Sequence, residues 1–394
     1  MFFSPKVSYY NNMYRRIANI KELARKKSIF LFGTRSTGKT TLLRHEYGKD
    51  AIVNLLKSSV LLPLIEHPSR IAEIAREKVR KNGIVIIDEI QKLSILLNEV
   101  HNLIETENMR FILTGSSARK LKRSGVNLLA GRAWEAHLFP LSYKEIPDFN
   151  LERYLLFGGL PQVYGSEWPE EELDAYVNTY LREEIKEEAL VQNFIHFSRF
   201  LKAAAISNAE QLNYANVSRD TGIPATSVRA YFDILSDTFV GFLLPGWRES
   251  KKRKAAATAK FYFFDIGVAN FLNEIKVLHR NSSEFGKAFE HFIAMELRSY
   301  LSYRRIKKGL SYWRTHNGTE VDFLIGSTSA VEVKATVKIQ EKHLKGLRML
   351  REEGIVQKFH VVCLDETDRQ TSDGIRVLHW RSFLDQLWND ELEI

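Results

Sequence analysis

The sequence predicts an α/β protein, with a parallel sheet at the amino end, a second α/β unit at the carboxyl end, and helical segments between them. Three observations carry this. Short apolar runs alternate with helical stretches up to about residue 150, the pattern of a parallel sheet covered on both faces. The segment from Glu167 to Glu188 is acidic and helical in spacing. Near the end, two apolar runs flank His316-Asn317-Gly318, and Asn-Gly between such runs is a strong hairpin signal.

Residues 1–27 are basic and helical in pattern, through Tyr14, Ile17, Ile20 and Leu23, and are expected to brace the sheet. Ser28 to Phe32 reads as a buried strand. Gly33-Thr34-Arg35-Ser36-Thr37-Gly38-Lys39-Thr40 follows, and then Thr41-Leu42-Leu43-Arg44 opens a helix. The eight-residue run fits G-x-x-x-x-G-K-[ST] at every fixed position. In that setting, backbone N–H groups and a helix N-terminus cradle phosphates. Residues Gly33 to Thr41 are expected to line ATP, with Lys39 on the β- and γ-phosphates and the Thr40 hydroxyl on magnesium. The blander reading is a glycine turn beside a surface lysine; the flanking strand and helix argue against it.

Ala51 to Leu55 is a strand, Ser69 to Lys81 a helix, and Ile84 to Ile87 a second buried strand that ends in Asp88-Glu89. A carboxylate at such a strand end can hold magnesium through water, and its neighbour can polarise the attacking water. Asp88 takes the first role and Glu89 the second. After a helix from Ile95 to Glu105, the strand Arg110 to Thr114 leads into Gly115-Ser116-Ser117. Ser116 is the first choice for a polar group beside the γ-phosphate, and Thr114 the second. Arg132, just before the strand Ala133 to Phe139, could neutralise transition-state charge from its own chain or from a neighbour; a surface arginine paired with a carboxylate is the competing reading.

The bulk numbers set bounds. A chain of 394 residues calls for several domains, and 44% hydrophobic residues suffice for packed cores. The expected boundaries are 1–150 for the nucleotide domain, 151–193 for a helical connector, 194–275 for a small module and 276–394 for the last domain. Lys and Arg outnumber Asp and Glu by 57 to 48, a net charge of +9, which permits nucleic-acid contact without requiring it. Cys363 is the single cysteine. That excludes a disulfide framework and a cysteine metal cage and predicts a reducing, cytoplasmic setting. The histidines are scattered without ligand spacing. No apolar run is long enough to span a membrane.

Residues 194–275 read as a winged helix. Leu201 to Ile206 belongs to one helix, Val217 to Thr221 forms a second that Gly222 stops, and Pro224 opens a third. Val228, Tyr231, Phe232 and Leu235 face its core, leaving Thr226, Ser227 and Arg229 outward. Two strand candidates, Phe239 to Leu244 and Lys260 to Asp265, enclose a turn with Arg248, Lys251, Lys252, Arg253 and Lys254. A basic hairpin tip beside three helices suits a phosphate backbone, so these residues are the DNA-binding candidates. Such modules also bind proteins.

In the last domain, a helix carries Glu290, a hairpin strand carries Asp322, and a further strand carries Glu332-Val333-Lys334. Glu332 and Lys334 share a strand face. Carboxylates gathered this way could bind one or two magnesium ions, and the lysine could activate water near a phosphodiester. An exposed strand face with alternating charge is the alternative.

Together these segments resemble the prokaryotic AAA-type predicted ATPases that end in a restriction-endonuclease-like domain of unknown function. The ATPase-type stretches are the phosphate loop, Ile86-Ile87-Asp88-Glu89, Phe111 to Ser116, Gly131-Arg132, and Phe139-Pro140-Leu141-Ser142 with Glu145. Phe157-Gly158-Gly159-Leu160-Pro161 is similar to the family's link into its helical region. Phe263-Phe264-Asp265-Ile266-Gly267, Gly286 to Glu290, Glu320 to Phe323 and Val331 to Lys334 resemble its C-terminal motifs. The resemblance covers nearly the whole chain. It implies ATP binding and hydrolysis, a winged helix between two larger domains, and a nuclease-like fold of the PD-(D/E)XK type whose activity it leaves open. Two functions stay in view. One is an ATP-driven protein acting on DNA; the other is a nucleotide-dependent switch for a protein partner, with an inactive nuclease-like domain. Neither monomer nor oligomer is specified.

Overall fold

The computed structural model describes residues 14–117, 129, 131–181, 194–247, 258–392 and 394. The amino-terminal region is built on strands β1 (Ser28–Phe32), β2 (Ile52–Asn54), β3 (Val85–Asp88), β4 (Phe111–Gly115) and β5 (Ala133–His137). All neighbours are parallel, in the order β2-β3-β4-β1-β5. Helices α1 (Ile20–Lys26) and α2 (Lys39–Tyr47) cover one face; α3 (Ser58–Glu66), α4 (Arg70–Asn82) and α5 (Leu96–Glu107) cover the other. β1 explains why both faces must be covered. Its five residues are all buried, with Phe30 and Phe32 entering one core and Ile29 and Leu31 the other, as the two-residue side-chain period requires.

The amino-terminal segment departs from the expected helix. Among the described residues 14–27, only Ile20–Lys26 is helical; Arg16 and Ile17 run as non-helical chain against Glu145, which accepts from Arg16 Nε at 3.0 Å and from the Ile17 N–H at 2.7 Å. These bonds, unreadable from local periodicity, replace the helical ones.

A helical stretch follows: α6 (Leu151–Phe157), α7 (Pro161–Gly165) and α8 (Pro169–Ala175), continuing as a π-helical turn through Leu181. Next come α9 (Phe194–Ile206), β6 (Glu210–Gln211), α10 (Tyr214–Thr221), α11 (Ala225–Asp237), β7 (Gly241–Leu244), β8 (Lys260–Phe263) and α12 (Ile266–Leu272). β8 lies between β6 and β7, antiparallel to both. One core joins α8, the π turn, α9, α11 and α12. Two motifs clasp here. Gly158 and Gly267 sit where a side chain could not: an added Cβ would lie 2.1 Å from Asp265 Oδ1 and 2.0 Å from the Phe157 carbonyl, respectively.

The carboxyl-terminal unit opens with the long helix α13 (Ser283–Tyr303). Its mixed sheet comprises β9 (Leu310–Arg314), β10 (Glu320–Ile325), β11 (Ser329–Lys334), β12 (Lys358–Cys363), β13 (Arg369–Gln370) and β14 (Arg376–His379), ordered β13-β14-β12-β11-β10-β9. Helix α14 (Glu341–Arg351) covers one face, while α13 and α15 (Trp380–Trp388) cover the other. Phe139, Leu141 and Phe149, which follow β5, enter the same core as α13, so the two α/β units pack directly on each other.

Candidate functional site

The loop Gly33 to Gly38 leaves the carboxyl end of β1 and enters α2, the end of a parallel sheet where ligands sit. Gly33 and Gly38 adopt φ of +154° and +92°. At Gly33 a Cβ would meet the Leu138 carbonyl oxygen at 2.4 Å, so the loop can follow this path only with glycine. Lys39 is buried, and its Nζ donates to the carbonyls of Gly33 at 2.6 Å and Thr34 at 3.0 Å. Arg35 and Thr41 are exposed, Ser36 is half-buried, and Thr37 is buried with its hydroxyl on the Thr34 carbonyl.

The structure brings Asp88 to this loop. Thr40 Oγ1 donates to the Asp88 carboxylate at 3.0 and 3.2 Å. From β4, Thr114 Oγ1 donates to Asp88 Oδ1 at 2.6 Å and accepts the Glu89 N–H at 3.0 Å. Glu89 has φ +63°, an uncommon left-handed conformation for a non-glycine residue, which that bond helps to fix. Gln91 Nε2 donates to Glu89 Oε2 and, at 3.0 Å, to Ser116 Oγ. Glu89, Gln91 and Ser116 thus form one string at the tips of β3 and β4. Of the two candidates on β4, Thr114 organises Asp88, while Ser116 stands on the Glu89 side.

Arg132 lies elsewhere. β5 runs parallel to β1, with Ala133 beside Ser28. Arg132 is therefore at the opposite end of the sheet from the loop, about 15 Å away along the strand, and it pairs with Glu105 on α5. The own-chain reading of this arginine is corrected by that register.

Two arginines beside the loop carried no sequence signal. Arg16 is buried; its guanidinium donates to the Thr37 carbonyl at 2.7 Å, the Phe139 carbonyl at 2.5 Å and Tyr303 Oη at 3.3 Å. Arg298, on α13, stacks 4.1 Å from the Phe242 ring and 5.0 Å from that of Phe139, in a small hollow shared with Gly33 and Thr34. Burial lowers its pKa to about 10. Tyr14, Gly38, Thr41, Leu42, Leu141, Pro161 and their neighbours line a separate cleft of about 230 Å³ alongside the loop.

In the middle module, Thr226 and Arg229 are exposed on α11 and Ser227 is half-buried beside them. Arg248, Lys251, Lys252, Arg253 and Lys254 lie outside the described residues.

In the carboxyl-terminal unit, β10 shifts register against β9 between Val321 and Leu324, and Asp322 lies in that irregularity. Such shifts re-aim side chains. Asp322 Oδ2 accepts the Val333 N–H at 2.8 Å. Lys334 Nζ lies 2.6 Å from Glu332 Oε1 and 3.7 Å from Asp322 Oδ2. Glu290 instead meets Lys260, at 3.0 Å, and the Tyr262 hydroxyl, at 2.6 Å. Lys260 also pairs with Glu320, which Arg314 reaches at 3.0 Å. Burial, with Asp322 nearby, pushes Glu332 up to about 8; burial also raises Glu290. Burial works against the charge of Lys334, but Asp322 and Glu332 outweigh it and hold the ammonium protonated. The carboxylates are therefore drawn onto lysines. Among the described residues, no three His, Cys, Asp or Glu side chains come together as a metal cage. As arranged, this cluster does not fit a resident divalent ion.

Residues 25–147 match the model of an AAA domain, residues 148–279 that of a domain of unknown function (DUF8612), and residues 285–383 that of a second domain of unknown function (DUF4143). The first match agrees with the five-stranded parallel sheet and points to a P-loop ATPase unit. The chain is 22% identical over 345 residues to the uncharacterized protein MJ1544 of Methanocaldococcus jannaschii, covering 79% of this chain and 75% of that protein. An uncharacterized protein of Haemophilus influenzae is 23% identical over 232 residues, 54% of this chain and 56% of its own length. The uncharacterized protein MJ1637 of M. jannaschii is 27% identical over 159 residues, 34% and 31% of the two chains. No helix among the described residues is long and apolar enough to cross a membrane.

Proposed function

We propose that this chain is an ATP-hydrolysing AAA-type switch that acts on DNA through its middle module. The observation that carries the reading is the chain of bonds from Thr40 through Asp88 to Thr114 at the base of the glycine loop. A hydroxyl and a carboxylate in direct contact beside a phosphate loop form a donor set for magnesium. Thr40 and Asp88 would hold that ion, whose charge offsets that of the β- and γ-phosphates. Residues Gly33 to Thr41 surround the triphosphate, with the Lys39 ammonium on its outer phosphates. Glu89 receives the proton of the attacking water, while Gln91 and Ser116 fix its carboxylate. Arg132, remote from its own loop, serves a neighbouring copy in this reading.

Lys39→Ala tests the site. ATP affinity measured by calorimetry with magnesium is expected to fall at least ~100-fold, about 2.7 kcal/mol, with no turnover remaining. Unchanged turnover would remove the site from consideration.

In this reading the order helix, strand, two helices and antiparallel strand pair around α9 to β8 is taken as a winged helix. It supports DNA contact through Thr226, Ser227 and Arg229 on α11 and through Lys251, Lys252, Arg253 and Lys254. Neutralising those four basic residues is expected to weaken DNA binding and flatten its dependence on salt. A specific observation favours a second reading, a switch for a protein partner with a catalytically silent last domain: Lys260 and Lys334 already pair with the carboxylates a nuclease would need. DNA binding that is absent, or insensitive to salt, decides for this second reading.

A further inference from the structure

A groove of about 480 Å³ opens between α6, α8, the π turn, α9 and the end of α12, and its lining falls wholly within residues 148–279. The floor is apolar, built by Phe157, Leu173, Val177, Phe271 and Ile275. The rim is acidic. Glu170 and Glu171 line it from α8, each one turn before Asp174, and Glu274 lines it from just past α12. Against these four carboxylates stand Lys202 and Lys276, and Lys202 is already paired with Glu274 at 2.7 Å. Glu170 and Glu171 have no ion-pair partner among the described residues. Carboxylates in the first turn of a helix complement its dipole, which accounts for Glu170 and Glu171. It does not account for Asp174, beyond that turn, or for Glu274. The chain as a whole carries +9, so this rim runs against its overall charge.

Apolar surface continues beyond the groove. Ile195 and Ile206 are exposed on α9 at helical spacing from Lys202, so the three share a face. Trp168, 70% exposed, immediately precedes α8, and Val277 is exposed two residues past Ile275. Apolar surface gathered inside a polar rim marks an interaction site. We infer that this groove docks a basic amphipathic helix of a partner protein. Apolar side chains at one-turn spacing on such a helix fill the floor, and the lysines or arginines that flank them meet Glu170, Glu171 and Asp174. Complementary charge of this kind sets orientation and excludes wrong partners. The rim repels a phosphate backbone, and the apolar floor offers a bare metal ion nothing. A small organic cation would fill the groove but leave the apolar face of α9 uncovered. The inference is independent of the ATP site and of DNA contact through α11.

The test uses the full-length protein without nucleotide. The probe is a labelled peptide of about 15 residues, with leucines at helical spacing and lysines elsewhere, followed by fluorescence anisotropy. Glu171→Lys combined with Asp174→Lys, both at exposed positions, is expected to weaken binding at least ~10-fold. The same charge change at the exposed Glu66 and Glu73, on α3 and α4, is expected to leave affinity within about threefold. An equal loss there would show attraction to overall charge alone and overturn the inference. Ile275→Asn alters the floor without altering charge and is expected to weaken binding at least ~3-fold; unchanged affinity overturns the inference. A peptide with glutamate in place of each lysine is expected not to bind. Equal binding of that peptide, or no binding of the basic one, also overturns it. Sedimentation of the protein alone tests a second copy as the rival occupant: self-association that Glu171→Lys with Asp174→Lys abolishes would assign the groove to that copy and overturn the inference.

Discussion

Thr114 on β4 joins Asp88 on β3 through a 2.6 Å hydrogen bond, and the same hydroxyl receives the N–H of Glu89. One side chain thereby sets both the carboxylate facing Thr40 and the backbone of the residue beside it. Thr114→Val keeps the shape and removes both bonds. It is expected to lower ATP turnover at least ~10-fold, about 1.4 kcal/mol in the barrier, while ATP affinity by calorimetry stays within about threefold. Stability should fall by about 1–3 kcal/mol, since a buried carboxylate and N–H lose a partner. Turnover equal to that of the parent would show that Thr114 only fills space.

Arg16 forms a buried pair with Glu145 and holds two carbonyls, one of them Thr37 in the phosphate loop. Arg16→Met leaves Glu145 to the N–H groups of Ile17 and Ser142 alone. Removing one partner of a buried pair costs about 3–5 kcal/mol, so urea unfolding should show a loss of that order. A loss below about 1 kcal/mol would mean that solvent reaches the pair.

His360 is buried on β12 and neither ring nitrogen has a hydrogen-bond partner. Burial, together with the charges of Arg376 and Lys358, lowers its pKa to about 4 from an ordinary 6.5. The neutral ring is therefore the folded form. The stability tied to it is intact above pH 6.5 and is lost as pH falls toward 4, by about 3 kcal/mol. His360→Leu should flatten the fall in stability over that interval by about one proton and raise stability at pH 7 by about 1 kcal/mol. Urea titrations at a series of pH values measure both; an unchanged slope would place the titration elsewhere.

Much of the nucleotide region was legible because its signals are local. A five-residue apolar run, a fixed glycine spacing and paired carboxylates at a strand end each express contacts made within a few residues. The hairpin around Asn317-Gly318 was legible for the same reason. What escaped depends on partners far along the chain. Arg16 meets groups 21 to 287 residues away, and no periodicity reports such distances. Gln91 acquires its role only once β3 and β4 lie side by side. Lys260 read as the polar start of an apolar strand, whereas its partner Glu290 lies 30 residues on, in another unit. Glu290, Asp322 and Glu332 were visible as carboxylates on the right elements, with Lys334 beside the last two; that Glu290 pairs with Lys260 was not, because that partner comes from a neighbouring module. Arg132 was readable as a residue before a strand, and only the register of β5 against β1 showed which end of the sheet it occupies.

Helix α13 carries Glu290 in its first half and Tyr303 as its last residue. Thirteen residue steps of α-helix separate them, about 20 Å along the axis. Tyr303 touches the arginine that grips the phosphate loop, and Glu290 holds the lysine lent by the middle module. The two ends of this one helix are therefore gripped by side chains from different parts of the chain, Arg16 at one and Lys260 at the other.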